Sequence, residues 1–215
     1  MPVSAEDIVK HYENDDSAVQ RISFAKNKRT VALTDYNPSW PSQYQFFKDG
    51  IISELGSIAI TVSHVGSTSV PGLSAKDIID IDLTVANILD EDAYVPLLER
   101  AGWSFRLREP TWHQHRFFSR DEPYGGNLHV WGPDCAEAER HLIFRDWLLN
   151  NPEDQDLYMQ AKHDAALDTV KVDGTVMDYN FRKEKRIREI LERAFRSRGY
   201  LKDEGADQDG KLDEN

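Results

Sequence analysis

A glycine-serine-threonine turn and two alternating aspartates lie close together in the stretch HVGSTSVPGLSAKDIIDIDLTV, residues 64–85. A Gly-Ser turn that leads into a helix offers backbone N–H groups and hydroxyls to an anion, although the same residues could simply cap the helix. The candidate substrate-binding residues of this turn are Gly66, Ser67, Thr68 and Ser69. Asp80 and Asp82 alternate on a predicted strand, so their carboxylates project from one face and could hold Mg²⁺. Lys76, between the turn and the acids, could contact an anion, pair with the aspartates or lie on the surface.

Three histidines and an arginine follow in the stretches TWHQHRFF (111–118) and NLHVW (127–131). His113 and His115 share one face of a predicted strand by parity, and His129 lies on the next strand across a turn. Three such histidines could bind Zn²⁺ or exchange protons near neutral pH, or each could satisfy a backbone carbonyl. The pattern favours acid–base chemistry or substrate contact by His115 and His129, with His113 beside them. Arg116 could meet a phosphate or merely a surface acid.

Hydrophobic periodicity predicts the elements that position these residues. Trp40, Tyr44, Phe47, Ile51 and Leu55 recur at helical spacing and should face the core. Strands are predicted at 31–36, 58–62, 78–85, 103–107, 115–118 and 127–131. Helices are predicted at 4–14 and about 90–101, ending at Gly102, and everywhere beyond residue 133, with breaks at 150–152 and 173–174. The order predicts an α+β domain in which a mixed sheet of about five strands carries a helical carboxy-terminal layer.

Asp134 with Glu137 is an acidic variant of the N-terminal helix cap signature, and Ser4 with Asp7 caps the first helix. The chain has 215 residues, a net charge of -12 and one cysteine, Cys135. The acidic charge argues against a duplex DNA-binding protein, and no stretch approaches the roughly 20 apolar residues of a membrane span. With no disulfide framework and a polar amino terminus, we expect a cytoplasmic protein.

Charge is unevenly distributed near the carboxy terminus. Residues 182–198 hold eight basic and three acidic side chains, whereas residues 202–215 hold six acids and two lysines. The basic segment could bind RNA, or it could be the solvated back of a helix whose apolar stripe is buried. The acidic end, 201–215, is predicted to be a disordered tail.

The spacing of Gly66-Ser67, twelve residues and Asp80-Ile81-Asp82 resembles the signature of the nucleotidyltransferase fold. In that fold the turn holds nucleotide phosphates and the aspartates hold metal for phosphoryl-group transfer. A third carboxylate usually comes from a neighbouring strand. Here that strand reads Asn127-Leu128-His129-Val130, so a histidine stands where an acid would help to hold metals.

The chain more specifically resembles the GrpB family over roughly residues 31–195. The resemblance is carried by NPSW (37–40), HVGSTSVPGLSAKDIIDI (64–81), NLHV (127–130), FRDWLLNNP (144–152) and the spacing from Tyr179 to Lys183. It implies a nucleotidyltransferase-like domain over 31–200, preceded by an amino-terminal extension over 1–30.

The extension and the DYNFRKEKRIREI helix look similar to a fungal branch of this family that joins arginine to a second amino acid from aminoacyl-tRNAs. This resemblance implies that Asp80 and Asp82 bind a guanidinium group without a metal, while His115 and His129 move protons. It also implies a tRNA-binding face made of Arg182, Lys183, Lys185, Arg186 and Arg193. The expected substrates are therefore aminoacyl-tRNA and amino acids, with no cofactor.

Two other hypotheses stay open. The first is a nucleotidyltransferase that uses Mg²⁺ at Asp80 and Asp82 with a nucleotide. The second is a non-catalytic module that binds a nucleotide or a partner on the same fold. All three hypotheses expect residues 66–82 to line the main pocket.

Overall fold

The structure is a computed structural model that describes residues 3–12, 16–25 and 31–202. The strands are β1 (Gln20–Arg21), β2 (Ala59–Val65), β3 (Ile79–Val85), β4 (Ser104–Glu109), β5 (His115–Arg120) and β6 (Gly126–Trp131). The helices are α1 (Ala5–Val9), α2 (Trp40–Leu55), α3 (Glu91–Arg100), α4 (Ala136–Asn150), α5 (Pro152–Lys171) and α6 (Val176–Ser197). No helix in these ranges is long and apolar enough to cross a membrane.

The six strands form one mixed sheet in the order β1-β4-β5-β6-β3-β2. Only β3 and β6 pair in parallel among the described strands, and the other neighbours are antiparallel. This parallel pair brings the aspartate strand beside the strand that carries His129. The predicted α+β class, with flanking helices and a helical carboxy-terminal layer, is confirmed.

One face of the sheet is apolar and forms the main core. Ile79, Ile81, Leu83 and Val85 alternate along β3, and all four are buried. The predicted stripe of α2 packs against them, with Tyr44 at its half-buried edge. Because the side-chain period of a strand is two, burying these residues turns Asp80 and Asp82 to the opposite face.

The opposite, polar face is covered by the carboxy-terminal helices. α4 packs on β2, and α6 packs on both α4 and α5. Pro152 starts α5, and a capping box between Thr175 and Asp178 starts α6. The predicted breaks between these helices therefore lie at the observed boundaries.

Three predictions of local structure are corrected, and a fourth concerns residues that the structure describes only in part. Residues 31–36 form no strand, because only Thr34 makes a bridge, to Ala75. The first helix is capped by Ser4 as expected but ends at Val9. The cap of α4 is Cys135 without a side-chain hydrogen bond, not Asp134. The amino-terminal extension contacts the domain through β1, whereas residues 203–215 of the predicted tail lie outside the described residues.

Ile81 and Ile60 offer a matched test of which face supports the fold. Ile81 is fully buried on β3, whereas Ile60 on the neighbouring β2 is 52% exposed. We expect Ile81→Ala to lower the free energy of unfolding by about 3 kcal/mol through lost burial and a residual cavity. Ile60→Ala should change it by less than about 0.5 kcal/mol. Urea unfolding of both variants measures the difference, and equal losses would contradict the assigned register.

Candidate active site

Polar residues of three neighbouring strands meet on the covered face of the sheet. Asp80 pairs in register with Asn127, and Asp82 pairs with His129. His129 in turn lies opposite Phe117 of β5. Phe117 is two positions after His115, so both project from the same face of that strand. The predicted catalytic residues Asp80, Asp82, His115 and His129 therefore share one face of the sheet.

Asp80 lies directly beneath the turn formed by Gly66–Ser69. Its Oδ1 accepts a hydrogen bond of 2.8 Å from Asn127 Nδ2. Gly66 has a φ of +67°, and a Cβ atom at this position would stand 2.5 Å from Asp80 Oδ2. Glycine is therefore required both for the backbone conformation and for the close approach to the carboxylate.

The hydroxyls of the Gly66–Ser69 turn have different roles. Thr68 is buried and its Oγ1 lies 3.0 Å from His64 Nε2, while Ser69 Oγ donates to the Gly66 carbonyl. These two hydroxyls stabilise the turn, but neither accepts a hydrogen bond from a helical backbone N–H, so they do not cap a helix. Ser67 Oγ instead lies 3.4 Å from the Tyr158 hydroxyl, so Ser67 is the side chain of the turn directed towards α5.

Asp82 is buried, and both of its oxygens accept hydrogen bonds from the protein. Trp131 Nε1 donates to Oδ1 at 3.0 Å, and His141 Nδ1 lies 2.9 Å from Oδ2. Burial opposes ionisation, but the charge and hydrogen bond of His141 outweigh it and hold the pKa of Asp82 below its usual value. Burial likewise opposes the charge of His141, yet Asp82 raises the pKa of His141 to about 9. The pair is therefore a carboxylate and an imidazolium at neutral pH.

His115 and His129 form a hydrogen-bonded chain with Glu109. His115 Nδ1 lies 2.6 Å from Glu109 Oε2, and His115 Nε2 lies 3.0 Å from His129 Nδ1. Burial lowers the pKa of His115 to about 3 and that of His129 to about 4, so both imidazoles are neutral. The tautomers that satisfy both contacts place protons on the two Nδ1 atoms, with Glu109 accepting, and this leaves His129 Nε2 as a proton acceptor.

The structure does not place His113 and Arg116 with the other predicted site residues. His113 lies in the turn before β5 with a φ of +51°, so it does not share a strand face with His115. Its ring packs edge-on against Tyr12. Arg116 is buried, and its Nε donates to Glu91 Oε1 at 2.8 Å. Arg116 therefore pairs with an acid, which is the second of its two expected contacts, and its phosphate contact stays an untested prediction.

Three lysines from separate elements converge near Asp80. Lys76 Nζ and Lys183 Nζ lie over the Tyr179 ring, at 5.2 and 4.7 Å from its centroid. Lys162 is 1% exposed, donates to the Ser74 carbonyl and lies 5.3 Å from the centroid of Tyr158. We call Lys76, Lys162 and Lys183 the lysine cluster.

Burial lowers the pKa of Lys162 to about 7 and that of Lys183 to about 8, although the Asp80 carboxylate acts in the opposite direction on both. Lys183 was expected on a tRNA-binding face, but it is half-buried and lies over Tyr179. Sequence reasoning did not select Lys162 or His141. Both lie within helices of mixed charge, and no local spacing distinguishes them.

The other predicted tRNA-binding residues have acidic neighbours. Arg186 Nη1 lies 2.5 Å from Glu189, and Arg193 binds Asp154 through two nitrogens. Lys185 is exposed and lies 4.0 Å from Glu189, and Arg182 is exposed. Much of the positive charge of α6 is therefore offset by acids of α5 and α6.

A cleft of about 380 Å³ adjoins Asp82 and is lined by Ser63, Thr84, Cys135 and Glu139 among others. A larger cavity of about 660 Å³ lies between α6 and residues near α1, and none of residues 66–82 lines it. Of residues 66–82, Asp82 lines the smaller of these two pockets and none lines the larger, so these two pockets do not support the expectation that residues 66–82 line the main pocket.

The donor set does not fit Mg²⁺ in this arrangement. No group of three or more His, Cys, Asp and Glu side chains suited to a metal occurs among the described residues. Both oxygens of Asp82 accept hydrogen bonds, from Trp131 and His141, and Asp80 Oδ1 accepts one from Asn127. A hard divalent cation needs several free oxygen ligands, so His141 would first have to leave Asp82.

Gly66 and Gly56 provide a matched test of the contact between the turn and Asp80. Both have positive φ values, but a Cβ atom at Gly56 would meet nothing within 4 Å. We expect Gly56→Ala to cost about 1–3 kcal/mol from backbone strain. Gly66→Ala should cost about 1–3 kcal/mol more, because Asp80 must move. Urea unfolding measures both, and equal losses would show that the close approach is not a constraint.

The Asp82–His141 pair predicts how stability depends on pH. His141 has a raised pKa in the folded protein, about 9 against 6.5, so its contribution is complete below pH 6.5 and disappears as the pH rises through 9. We expect His141→Gln to lose about 2 kcal/mol at pH 6, the usual contribution of a hydrogen bond to a charged group, and to show a smaller decline between pH 6.5 and 9. Urea unfolding at several pH values tests this, with the exposed His163→Gln as control. A wild-type decline retained in His141→Gln would contradict the assignment.

Comparison with known proteins identifies the family. The model of the GrpB protein family matches residues 30–193. A UPF0157 protein of Halalkalibacterium halodurans is 40% identical over 182 residues, which cover 83% of this chain and 91% of that protein. A UPF0157 protein of Pseudomonas aeruginosa is 38% identical over 147 residues, which cover 67% of this chain and 60% of that protein.

A dephospho-CoA kinase of Mycolicibacterium paratuberculosis is 29% identical over 207 residues, but the match covers only 50% of that protein and 81% of this chain. Among solved structures, the conserved protein GrpB from Enterococcus faecalis superposes with a TM-score of 0.67 at 26% identity. The superposition covers 78% of this chain and 99% of that one. The chain belongs to the GrpB family and has its nucleotidyltransferase-like fold.

Proposed function

We propose that this chain is an aminoacyl transferase that takes arginine and a second amino acid from aminoacyl-tRNAs and joins them in a cyclic dipeptide. The observation that carries the proposal is the chain of hydrogen bonds from Glu109 through His115 to His129. It supplies a neutral base on the same face of the sheet as Asp80, and transfer of an activated ester needs such a base but no metal.

The reaction divides into two acyl transfers. The amino group of the second aminoacyl residue attacks the carbonyl carbon of the arginyl ester, and the tRNA 3′-oxygen leaves. The amino group of arginine then attacks the second ester and closes the ring. In each step His129 Nε2 takes a proton from the attacking nitrogen and returns one to the leaving oxygen, so the base is regenerated.

Asp80 has the principal substrate-binding role in this proposal. Asp82 was expected to share the guanidinium group with Asp80, but its oxygens are occupied by Trp131 and His141. Asp80 is half-buried and uses Oδ1 for Asn127. A single carboxylate can still hold a cationic amine or guanidinium group. Asp82 instead acts as a positioning residue, because it anchors the charged His141 beside the site.

A second candidate is Mg²⁺-dependent nucleotidyl transfer. The specific observation in its favour is that the Gly66–Ser69 turn lies directly on Asp80, as phosphate and metal ligands would require in this fold. It demands release of His141 from Asp82, so nucleotide binding would need divalent metal and would disappear in Asp80→Asn.

Expression in a host that supplies charged tRNA, followed by mass spectrometry of extracts, tests the leading proposal. We expect arginine-containing cyclic dipeptides, and we expect RNase to abolish their formation in a reconstituted reaction. His129→Asn should reduce the rate by about 10²–10⁴ through loss of the base. The exposed His163→Asn serves as the matched control and should leave the rate unchanged.

Three outcomes would count against the proposal. Product formation unaffected by His129→Asn would remove the base from the mechanism. No product, together with a melting temperature raised by ATP only in the presence of Mg²⁺, would favour nucleotidyl transfer. Nucleotide binding with no turnover of any kind would favour a non-catalytic module.

A further inference from the structure

The lysine cluster concentrates positive charge at the edge of the site. Lys76 precedes β3, Lys162 belongs to α5 and Lys183 belongs to α6, so three separate segments bring ammonium groups together. Tyr179 is shared by two of them, with Lys76 and Lys183 at 5.2 and 4.7 Å from its ring centroid. Such convergence from distant parts of the chain is not a consequence of one helix having a basic face.

Lys162 and Lys183 have little negative charge beside them in the part of the chain that the structure describes. Asp80 is the carboxylate that acts on both Lys162 and Lys183, and the other charges acting on Lys162 are those of Lys76 and Lys183. Across the described ranges, neither Lys162 nor Lys183 makes an ion pair within 4.0 Å. Asp80 is therefore the carboxylate that acts on two lysines, neither of which is in an ion pair among the described residues.

Lys162 is the least satisfied member of the cluster. It is 1% exposed, and its ammonium group donates to a single protein acceptor, the Ser74 carbonyl. An ammonium group has three N–H donors, and burying one without an acidic partner is costly. The contact with the Tyr158 ring contributes only about 0.5–2 kcal/mol. A negatively charged ligand would provide what the protein does not.

We propose that the lysine cluster, with the hydroxyls of Ser67 and Tyr158, forms a subsite for a phosphate group of the substrate. Ser67 Oγ and Tyr158 OH lie 3.4 Å apart on the side of the turn that faces α5. A tetrahedral phosphate has enough acceptor oxygens for several lysines and both hydroxyls. Lysines act on it as point charges, without the planar fork that arginine presents to a carboxylate.

This inference deepens the proposed function and rests on it for the identity of the substrate. A tRNA 3′ end carries a phosphodiester next to the nucleoside that bears the aminoacyl ester. With the phosphate held by the lysine cluster, the cationic amino acid would reach Asp80, and its carbonyl would lie on the face that carries His129. The ligand thus needs opposite charges at its two ends, as an aminoacylated RNA end has.

Sulfate binding to the full chain, measured by calorimetry at fixed ionic strength, tests the subsite directly. Sulfate remains a dianion across the usable pH range, so its own titration does not affect the result. We expect Lys183→Gln and Lys76→Gln to weaken sulfate binding at least about tenfold. Lys171→Gln, an exposed lysine of α5 with a side-chain exposure of 70%, should leave it unchanged.

A buried variant distinguishes a binding role from a structural one. Lys162→Met should abolish sulfate binding while the protein remains folded, because replacing an under-compensated buried charge by an apolar side chain is often neutral for stability. Equal losses of sulfate affinity in Lys183→Gln and Lys171→Gln would mean general electrostatic attraction and would overturn the subsite. Undiminished binding by Lys162→Met would also overturn it.

Competition for sulfate distinguishes the sources of the phosphate. Displacement by an oligoribonucleotide ending in CCA, at lower concentration than by adenosine 5′-monophosphate, is the result expected for an RNA end. Displacement by the mononucleotide at equal or lower concentration retains the phosphate subsite but overturns the RNA assignment. Failure of both to displace sulfate overturns the subsite. Because this experiment measures no turnover, its result is independent of whether cyclic dipeptides are formed.

Discussion

The buried carboxylate of Asp82 is the constraint on which the arrangement of this site depends. It is 4% exposed, so both of its oxygens require donors from the protein. The indole of Trp131 comes from the neighbouring strand, but His141 comes from α4. The hydrogen bond therefore fixes a helix against the polar face of the sheet. Arg145, one turn further along α4, donates to the His64 carbonyl and strengthens the same attachment.

The charge of His141 also determines the state of its neighbours. Burial is the main reason that His129 stays neutral, and the positive charge of His141 disfavours a second proton nearby. His115 experiences the same two effects. The histidines consequently divide into one imidazolium that pairs with Asp82 and two neutral rings that can exchange protons. A group of three titratable rings thus has a single protonation pattern at neutral pH.

The sheet and half of the site could be predicted from sequence because they depend on local periodicity. Alternation along 79–85 fixes the face of Asp80 and Asp82, and strand parity with a connecting turn brings His115 to His129. The same reasoning failed for His113. His113 and Gln114 have positive φ values, so β5 begins only at His115. His141 and Lys162 could not be found in this way. Their positions depend on how helices distant in sequence pack on the sheet, and a helix of mixed charge carries no local sign of which polar residue will be buried.

An imidazolium beside Asp82 provides only part of what a metal ion would provide. It balances one carboxylate charge and donates along one direction, whereas a divalent cation would bind several oxygens and polarise a substrate directly. In the proposed acyl transfer, N–H and O–H donors would polarise the reacting carbonyl, and the Gly66–Ser69 turn beside Asp80 carries such donors. Glycine at position 66 allows the turn to approach the Asp80 carboxylate this closely, and in the proposed function that carboxylate orients the substrate. The polar face of this fold therefore holds Asp82 with an imidazolium and carries two neutral histidines beside it, which is the arrangement on which the proposed proton transfer depends.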